Sequence, residues 1–145
     1  MDFKQLLKND FIILDGAMGT MLQAAGLEAG GIPELLNITD PELIENIHKK
    51  YIEAGSDIVY ANTFGANRYK LKNHSVDEII GAGIAIAKRA CNGKALAALD
   101  IGPIGQLLEP TGTLKFEEAY DIFKEQIIAG HDADVIVFEL SLIHI

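Results

Sequence analysis

The sequence has little or none of several features, and each absence narrows its class. It contains one cysteine, Cys91, so no internal disulfide can form, and it contains no tryptophan. No apolar run reaches the roughly 18–20 residues that a membrane-spanning helix needs. The first ten residues mix charges with leucines and lack the apolar stretch and small-residue cleavage site of a signal peptide. We therefore expect a cytoplasmic protein with no membrane partner.

Basic residues are scarce relative to acidic ones. The chain has 12 Lys and Arg against 21 Asp and Glu, a formal net charge of -9. This balance argues against nucleic acid as a partner, and the spread of the acidic residues along the chain is typical of a solvated surface. With 145 residues, 49% of them hydrophobic, the chain has the composition of one globular domain with a real core.

Four short apolar runs alternate with longer stretches of helical periodicity. The predicted strands are Phe11–Leu14, Ile58–Ala61, Ala95–Leu99 and Val135–Phe138. The predicted helices are Pro41–Ala54, Val76–Ala90 and Phe116–Ala129. The alternation predicts βαβ crossovers and an α/β fold with a parallel sheet. A doubly wound sheet could use four strands, whereas a barrel needs eight over about 250 residues, and periodicity leaves both open.

Helical spacing also predicts which side chains face the core. In the second helix these are Ile79, Ile80, Ile84, Ile86 and Ala87, and in the third they are Tyr120, Phe123 and Ile127. We expect His48 and His74 to face solvent. Cys91 is expected to be a buried packing residue.

Polar or acidic residues follow each predicted strand. They are Asp15, Gly16, Ala17, Asn62, Thr63, Asp100 and Glu139. Because loops at the carboxyl ends of parallel strands converge, we expect these residues to form one site. The carboxylates suit an ammonium group, and the backbone amides of Gly16 and Ala17 suit a carboxylate. The pattern therefore indicates an amino-acid site.

Each of these residues also has an ordinary structural explanation. Gly16 and Gly19 could serve a tight turn, and Asn62-Thr63 could cap the next helix. Asp100 could accept backbone amides of the Gly102-Pro103 turn. A phosphate loop is disfavoured because Asp15 would repel the anion and no lysine follows.

Four long stretches carry a family resemblance. They are LDGAMGTMLQ (14–23), PELLNITDP (33–41), YIEAGSDIVYANTFGANRYKL (51–71) and DIGPIGQLLEPTG (100–112). With these stretches the sequence resembles the homocysteine-binding domain of cobalamin-dependent methionine synthases, which is of the homocysteine S-methyltransferase type.

The resemblance implies a fold and a chemistry. It implies that residues 1–139 are the N-terminal half of a (β/α)₈ TIM barrel, with about four parallel strands. Asp15 and Glu139 would contact the homocysteine amine, and the amides of Gly16 and Ala17 would receive its carboxylate. In the family, zinc held by three cysteines of later strands activates the homocysteine thiol for methylation to methionine. Methylcobalamin on a separate domain supplies the methyl group, and a folate domain of the same chain is the other expected partner.

Some alternatives remain open within and outside this family. The PELLN stretch (33–37) resembles the methionine-synthase branch, and the lack of tryptophan weakens a betaine-type cation–π box. A homocysteine methyltransferase fused to a methylenetetrahydrofolate reductase fits as well. Outside the family, a non-catalytic α/β module that binds an amino acid or anion, or an interaction fragment without a ligand, would also fit.

The sequence departs from the family in three places, one of which is the irregular lead into the fourth predicted strand at residues 130–134. The zinc-ligand cysteines are absent and Cys91 matches none of them. We therefore assign no catalytic residue and no metal ligand, and expect this truncated chain to bind no zinc and to be inactive. Residues 140–145, Leu-Ser-Leu-Ile-His-Ile, do not continue the family pattern, and we predict that they are a translated sequencing adapter and not native.

Overall fold

The computed structural model describes residues 2–28 and 30–140. The helices are α1 (Phe3–Leu6), α2 (Met18–Ala24), α3 (Leu36–Thr39), α4 (Pro41–Glu53), α5 (Arg68–Leu71), α6 (Val76–Cys91) and α7 (Phe116–Ala129), and a 3₁₀ turn covers Pro33–Leu35. The strands are β1 (Ile58–Tyr60), β2 (Leu96–Ile101) and β3 (Val135–Phe138). Residues 141–145 lie outside the described residues, so the non-native origin of the tail stays a prediction.

The three strands form one parallel sheet in the order β1-β2-β3. Ile58 pairs with Leu96, and Ala98 pairs with Val135. α6 lies in the connection between β1 and β2, and α7 lies between β2 and β3, which is how parallel neighbours are joined. The predicted α/β class with a parallel sheet is confirmed.

The long helices begin at residues that satisfy their first amides. The Asp40 carboxylate accepts the amide of Leu43 at the start of α4, and the Ser75 hydroxyl oxygen accepts the amide of Glu78 at the start of α6. α7 has the predicted bounds, and α4 and α6 each differ from prediction by one residue at the C-terminal end. Within the described ranges, no helix is both long and apolar enough to cross a membrane.

The predicted first strand, Phe11–Leu14, is wrong as a strand. Only Leu14 forms a bridge, with Ile58, and Phe11 is 72% exposed. The amide of Asp15 donates to the Ile58 carbonyl, so the next parallel ladder bond would run from the Tyr60 amide to the Asp15 carbonyl. Tyr60 instead donates to the Asp15 side chain, Oδ2, at 3.1 Å. The side chain thereby takes the amide that would have extended the ladder.

The main core lies between the sheet and α6. It contains Val59, Ala97, Leu99 and Ile101 of the strands, with Ile79, Ile80, Ile84 and Ala87 of α6. The inward residues predicted for α6 are all buried. For α7 the prediction was partly wrong, because Tyr120 is 59% exposed while Ala119 and Ile122 are buried. Because Ala119 is small, α7 can pack closely against its neighbours through the face of Ala119 and Ile122, which is rotated by about one residue from the predicted face.

The prediction that His48 faces solvent is also wrong. His48 lies on α4 and is fully buried, and neither ring nitrogen has a hydrogen-bond partner among the described residues. Burial lowers the pKa of His48 to about 4, opposed by the charge of Glu45. Its turn of α4 also contains Ile44 and Ile47, which pack with Leu22. Cys91 is buried, as predicted.

His48 makes the fold sensitive to acid, and this can be measured. Its folded pKa lies below its unfolded value, so its stabilising contribution is present above about pH 6.5 and is lost as the pH falls towards 4. The variant His48→Leu should therefore lose less stability than the wild type between pH 6.5 and 4.5. The difference between the wild type and His48→Leu in the free energy of unfolding should change by up to about 1.4 kcal/mol per pH unit.

Urea unfolding at several pH values measures this difference. The exposed His74 provides the control, because His74→Leu makes the same change of side chain without removing a buried ring. If the free energy of unfolding changed with pH equally in the wild type and in His48→Leu, His48 would not be the cause of the acid sensitivity.

Candidate functional site

A cavity of about 320 Å³ lies at the carboxyl ends of the parallel strands. It is lined by Asp15, Gly16, Ala17, Met18, Tyr60, Ala61, Asn62, Thr63, Phe64, Asp100 and Glu139. All seven residues predicted from the sequence as site residues are among them. Met18, Tyr60, Ala61 and Phe64 were not predicted, and the first and last of these four follow predicted site residues directly in the sequence.

The acidic residues are placed by the pairing of the strands. The amide of Asp15 bonds to Ile58, and the amide of Glu139 donates to the Ile101 carbonyl at 3.1 Å. β2 runs two residues further than predicted, so Asp100 lies inside the strand, opposite Val137. Three chain segments at the same edge of the sheet therefore each bring one carboxyl group to this cavity.

Among the residues that the structure describes, no basic side chain lines this cavity, and its acids influence one another. Burial and then the nearby charges of Glu139, Asp15 and Glu34 raise the pKa of Asp100 to about 7. Burial raises the pKa of Asp15 to about 6, with a smaller contribution from Glu139, against the lowering effect of the Tyr60 amide. Burial and the same cavity acids also raise the pKa of the Tyr60 phenol. The cavity is thus suited to a cationic group.

The loop after β1 is held by its own side chains. The Thr63 hydroxyl donates to the Asp100 carbonyl at 2.9 Å and accepts the Asp100 amide at 3.1 Å. Asn62 Nδ2 donates to the Pro33 carbonyl at 2.8 Å. Neither residue caps the following helix, since Asn67 accepts the first amides of α5. The capping alternative for Asn62-Thr63 is therefore wrong.

The alternative that Asp100 accepts backbone amides of the Gly102-Pro103 turn is also wrong. The amide of Gly102 donates to the Phe64 carbonyl at 3.0 Å and not to the Asp100 carboxylate. Asp100 is 6% exposed, and its Oδ1 has no hydrogen-bond partner among the described residues. A buried carboxylate oxygen without a donor is costly, so this oxygen is available to a ligand that brings one.

The PELLN stretch holds this loop from behind, through two buried side chains that sequence reasoning missed. Asn37 Nδ2 donates to the carbonyls of Asn62 at 2.9 Å and Ile79 at 3.1 Å, and its Oδ1 accepts from Asn62 Nδ2. Glu34 Oε1 accepts the amide of Gly65 at 2.6 Å. A Cβ at Gly65 would lie 2.6 Å from that oxygen, so a larger residue there would displace the Glu34 carboxylate. We call Glu34 and Asn37 the loop brace.

The Asp15-Gly16-Ala17 turn is positioned by Tyr51. The Tyr51 hydroxyl donates to the Ala17 carbonyl at 3.2 Å, and a Cβ at Gly16 would lie 2.9 Å from the Tyr51 ring. Gly16 is therefore needed for close packing against this ring. Gly16 and Ala17 are exposed residues of the cavity lining, and their amides donate to no other described residue.

The residues at hand do not fit a thiolate zinc site. Cys91 ends α6, and burial raises its thiol pKa to about 11, which keeps it protonated. Among the described residues, no group of three or more His, Cys, Asp and Glu side chains is arranged to hold a metal ion. No step of the chemistry is assigned to a metal in this chain.

The fold and the cavity define an α/β domain with a cavity of small-molecule size at the carboxyl edge of its parallel sheet. Residues 12–142 match the homocysteine S-methyltransferase family, and the chain belongs to that family. It is 35% identical to the methionine synthase of Mycobacterium tuberculosis (strain ATCC 25618 / H37Rv) and 33% identical to that of Mycobacterium leprae (strain TN). Each alignment covers 95% of this chain and 13% of the synthase.

Solved structures support the fold. The metallated form of the homocysteine methyltransferase MmuM from Escherichia coli aligns with a TM-score of 0.81 and 22% identity, covering 95% of this chain and 56% of that one. The oxidized form gives 0.77 at 22% identity, covering 90% and 53%. The chain therefore has the fold of about half of that enzyme's chain.

Removing the Asn37 side chain should cost more than an ordinary surface change. In Asn37→Ala the buried carbonyls of Asn62 and Ile79 lose a donor, so we expect a loss of about 1–3 kcal/mol of stability and weaker protection of the Asn62–Gly65 amides from hydrogen exchange. The exposed Asn46→Ala on α4 is the matched control and should stay within about 0.5 kcal/mol of the wild type. Urea unfolding and amide exchange measure both, and equal behaviour of the two variants would contradict the loop brace.

Proposed function

We propose that this chain is the homocysteine-binding part of a methyltransferase that converts homocysteine to methionine. The observation that supports it most directly is one cavity that is lined, among the described residues, by three carboxyl groups and no basic side chain, beside loop amides that donate to no other described residue. An α-amino acid carries an ammonium and a carboxylate two bonds apart, and this cavity offers a partner to each. Membership of the family supplies homocysteine as the amino acid.

Different lining residues would contact different groups of the ligand. Asp15, Asp100 and Glu139 would take the ammonium as charge-assisted acceptors. The amides of Gly16 and Ala17 would donate to the carboxylate. Met18 and Phe64 give the cavity apolar walls for the sulfur-bearing arm.

Asn62 and Thr63 differ from the other predicted binding residues. The Asn62 amide group and the Thr63 hydroxyl already bond within the protein, to Pro33 and Asn37 and to Asp100 respectively. We propose that they shape the cavity wall and fix Asp100, with contact to the ligand through whatever surface they leave exposed to it.

We further propose that residues 1–139 are the first half of a (β/α)₈ barrel. Apolar side chains are exposed at both outer segments of the sheet, including Ile13 and Leu14 on one side and Ile136 and Phe138 on the other. Further strands and helices would cover them. The chain spans 13% of the length of the two synthases and about half of the Escherichia coli chains, which leaves room for such segments in those relatives.

Thiol activation would then lie outside the described residues. We propose that zinc and methylcobalamin act in the longer protein, with cobalamin and folate domains as partners, and that this chain alone binds homocysteine without transferring a methyl group. The Escherichia coli relative has been solved in a metallated form, which agrees with a metal in the longer enzymes. A fusion to methylenetetrahydrofolate reductase is the other arrangement that the family allows.

Isothermal calorimetry with L-homocysteine tests the binding role at pH 8. Asp15→Asn and Glu139→Gln each replace a charged acceptor of the ammonium, which is worth about 1.5–3 kcal/mol, so affinity should fall roughly 10- to 100-fold. Asp121→Asn and Glu117→Gln, exposed on α7, are the matched controls and should bind as the wild type does. Unchanged affinity in both cavity variants would refute the proposed ammonium site.

A further inference from the structure

Three carboxyl groups line the cavity, and no described residue of its lining gives them a positive partner. Asp15 is bound by the Tyr60 amide, Asp100 is backed by Thr63 through its main chain, and Glu139 follows β3. Lys70 contacts Phe64 of the cavity lining, with its Nζ 5.3 Å from the ring centroid. Lys70 does not line the cavity.

Asp100 is in the least favourable position of the three. It is 6% exposed, and Oδ1 has no donor among the described residues. The titratable groups that face it are Asp15 from the turn before α2, Glu139 after β3, Glu34 from the 3₁₀ turn and the phenol of Tyr60 on β1. Each of these groups is either neutral or negative, so none of them stabilises an ionised Asp100.

An unliganded site of this kind holds a proton. Carboxylates that share one cavity, with Asp100 buried and Asp15 and Glu139 partly buried, disfavour one another's ionised form, because each charge raises the energy of the next and desolvation adds to it. The pKa of about 7 for Asp100 and of about 6 for Asp15 agree with this geometry. Near neutral pH the proton therefore resides mainly on Asp100.

An ammonium group reverses this balance, since it brings a positive charge and N–H donors to the orphaned oxygen. We propose that an amino-acid ligand displaces the proton held on Asp100, so that binding releases a proton from the protein into solution. The O–H bond of the Asp100 carboxylic acid is the one that breaks, and the ligand keeps its own ammonium protons. This inference rests on the proposed function, because it needs an amino acid in the cavity.

The direction of the pH dependence follows. Above about pH 8 Asp100 is already ionised, so binding should release no proton and affinity should not vary with pH. Below pH 7 each bound ligand must displace the proton, and affinity should fall up to tenfold per pH unit. Asp15 adds a second proton as the pH approaches its own value of about 6, which makes the fall steeper.

Calorimetry in phosphate and in imidazole at pH 6.5 measures the released protons, because the two buffers take up a proton with different enthalpies. The ligands are L-homocysteine and L-methionine, the second of which has no thiol proton to lose. We expect roughly one proton released with either ligand at pH 6.5 and close to none at pH 8.5. Asp100→Asn should bind without the release, whereas Asp121→Asn should release as the wild type does.

Carbon-13 NMR of the carboxyl groups gives a readout that does not depend on the variant. In the free chain the Asp100 carboxyl should titrate above pH 6, and saturating methionine should lower its midpoint by more than one unit. Binding without proton exchange at pH 6.5, or an Asp100 that titrates below pH 5 in the free chain, would overturn this inference and leave the proposed function intact. Failure of both amino acids to bind would overturn the two together.

Discussion

Parallel strand pairing brings three carboxyl groups to one cavity, where their negative charges repel one another. The pairing of β2 with β3 places Glu139 beside the end of β2, which carries Asp100. The bond from the Asp15 amide to Ile58 brings Asp15 to the same edge of the sheet. The desolvation of these groups is unfavourable, and the protein offsets only part of it, through the Tyr60 amide. In the proposed function, the ammonium group of the ligand supplies the positive charge that the described residues do not.

The rest of the local structure keeps that arrangement rigid. The loop brace holds the turn after β1 from the side away from the cavity, and Thr63 ties this turn to the main chain of Asp100. Tyr51 holds the turn that follows Asp15. Most of these bonds join buried groups, so a change in any of them leaves an unpaired polar atom and disturbs the acids indirectly. The binding geometry is therefore a property of the fold and not of mobile side chains.

Much of this site was predictable from the sequence, for a simple reason. In a parallel α/β fold, whatever follows a strand reaches the same edge, so the seven predicted residues could be grouped without knowing any distance. Side-chain capture of backbone groups could not be predicted: the Asp15 carboxylate ended the first ladder by taking the Tyr60 amide. Burial on α4 and α7 also depended on which helices pack together, so His48 and Tyr120 were placed on the wrong side. The PELLN stretch carries part of the family resemblance, but its bonds behind the loop depend on tertiary contacts that the sequence does not show.

A crystal structure of the chain with L-homocysteine tests the central claim most directly. The account predicts the ligand nitrogen within hydrogen-bonding distance of the carboxylates of Asp15 and Glu139, with Asp100 Oδ1 as a further acceptor and the ligand carboxylate at the amides of Gly16 and Ala17. A ligand bound in the reverse orientation, or seated outside this cavity, would contradict it.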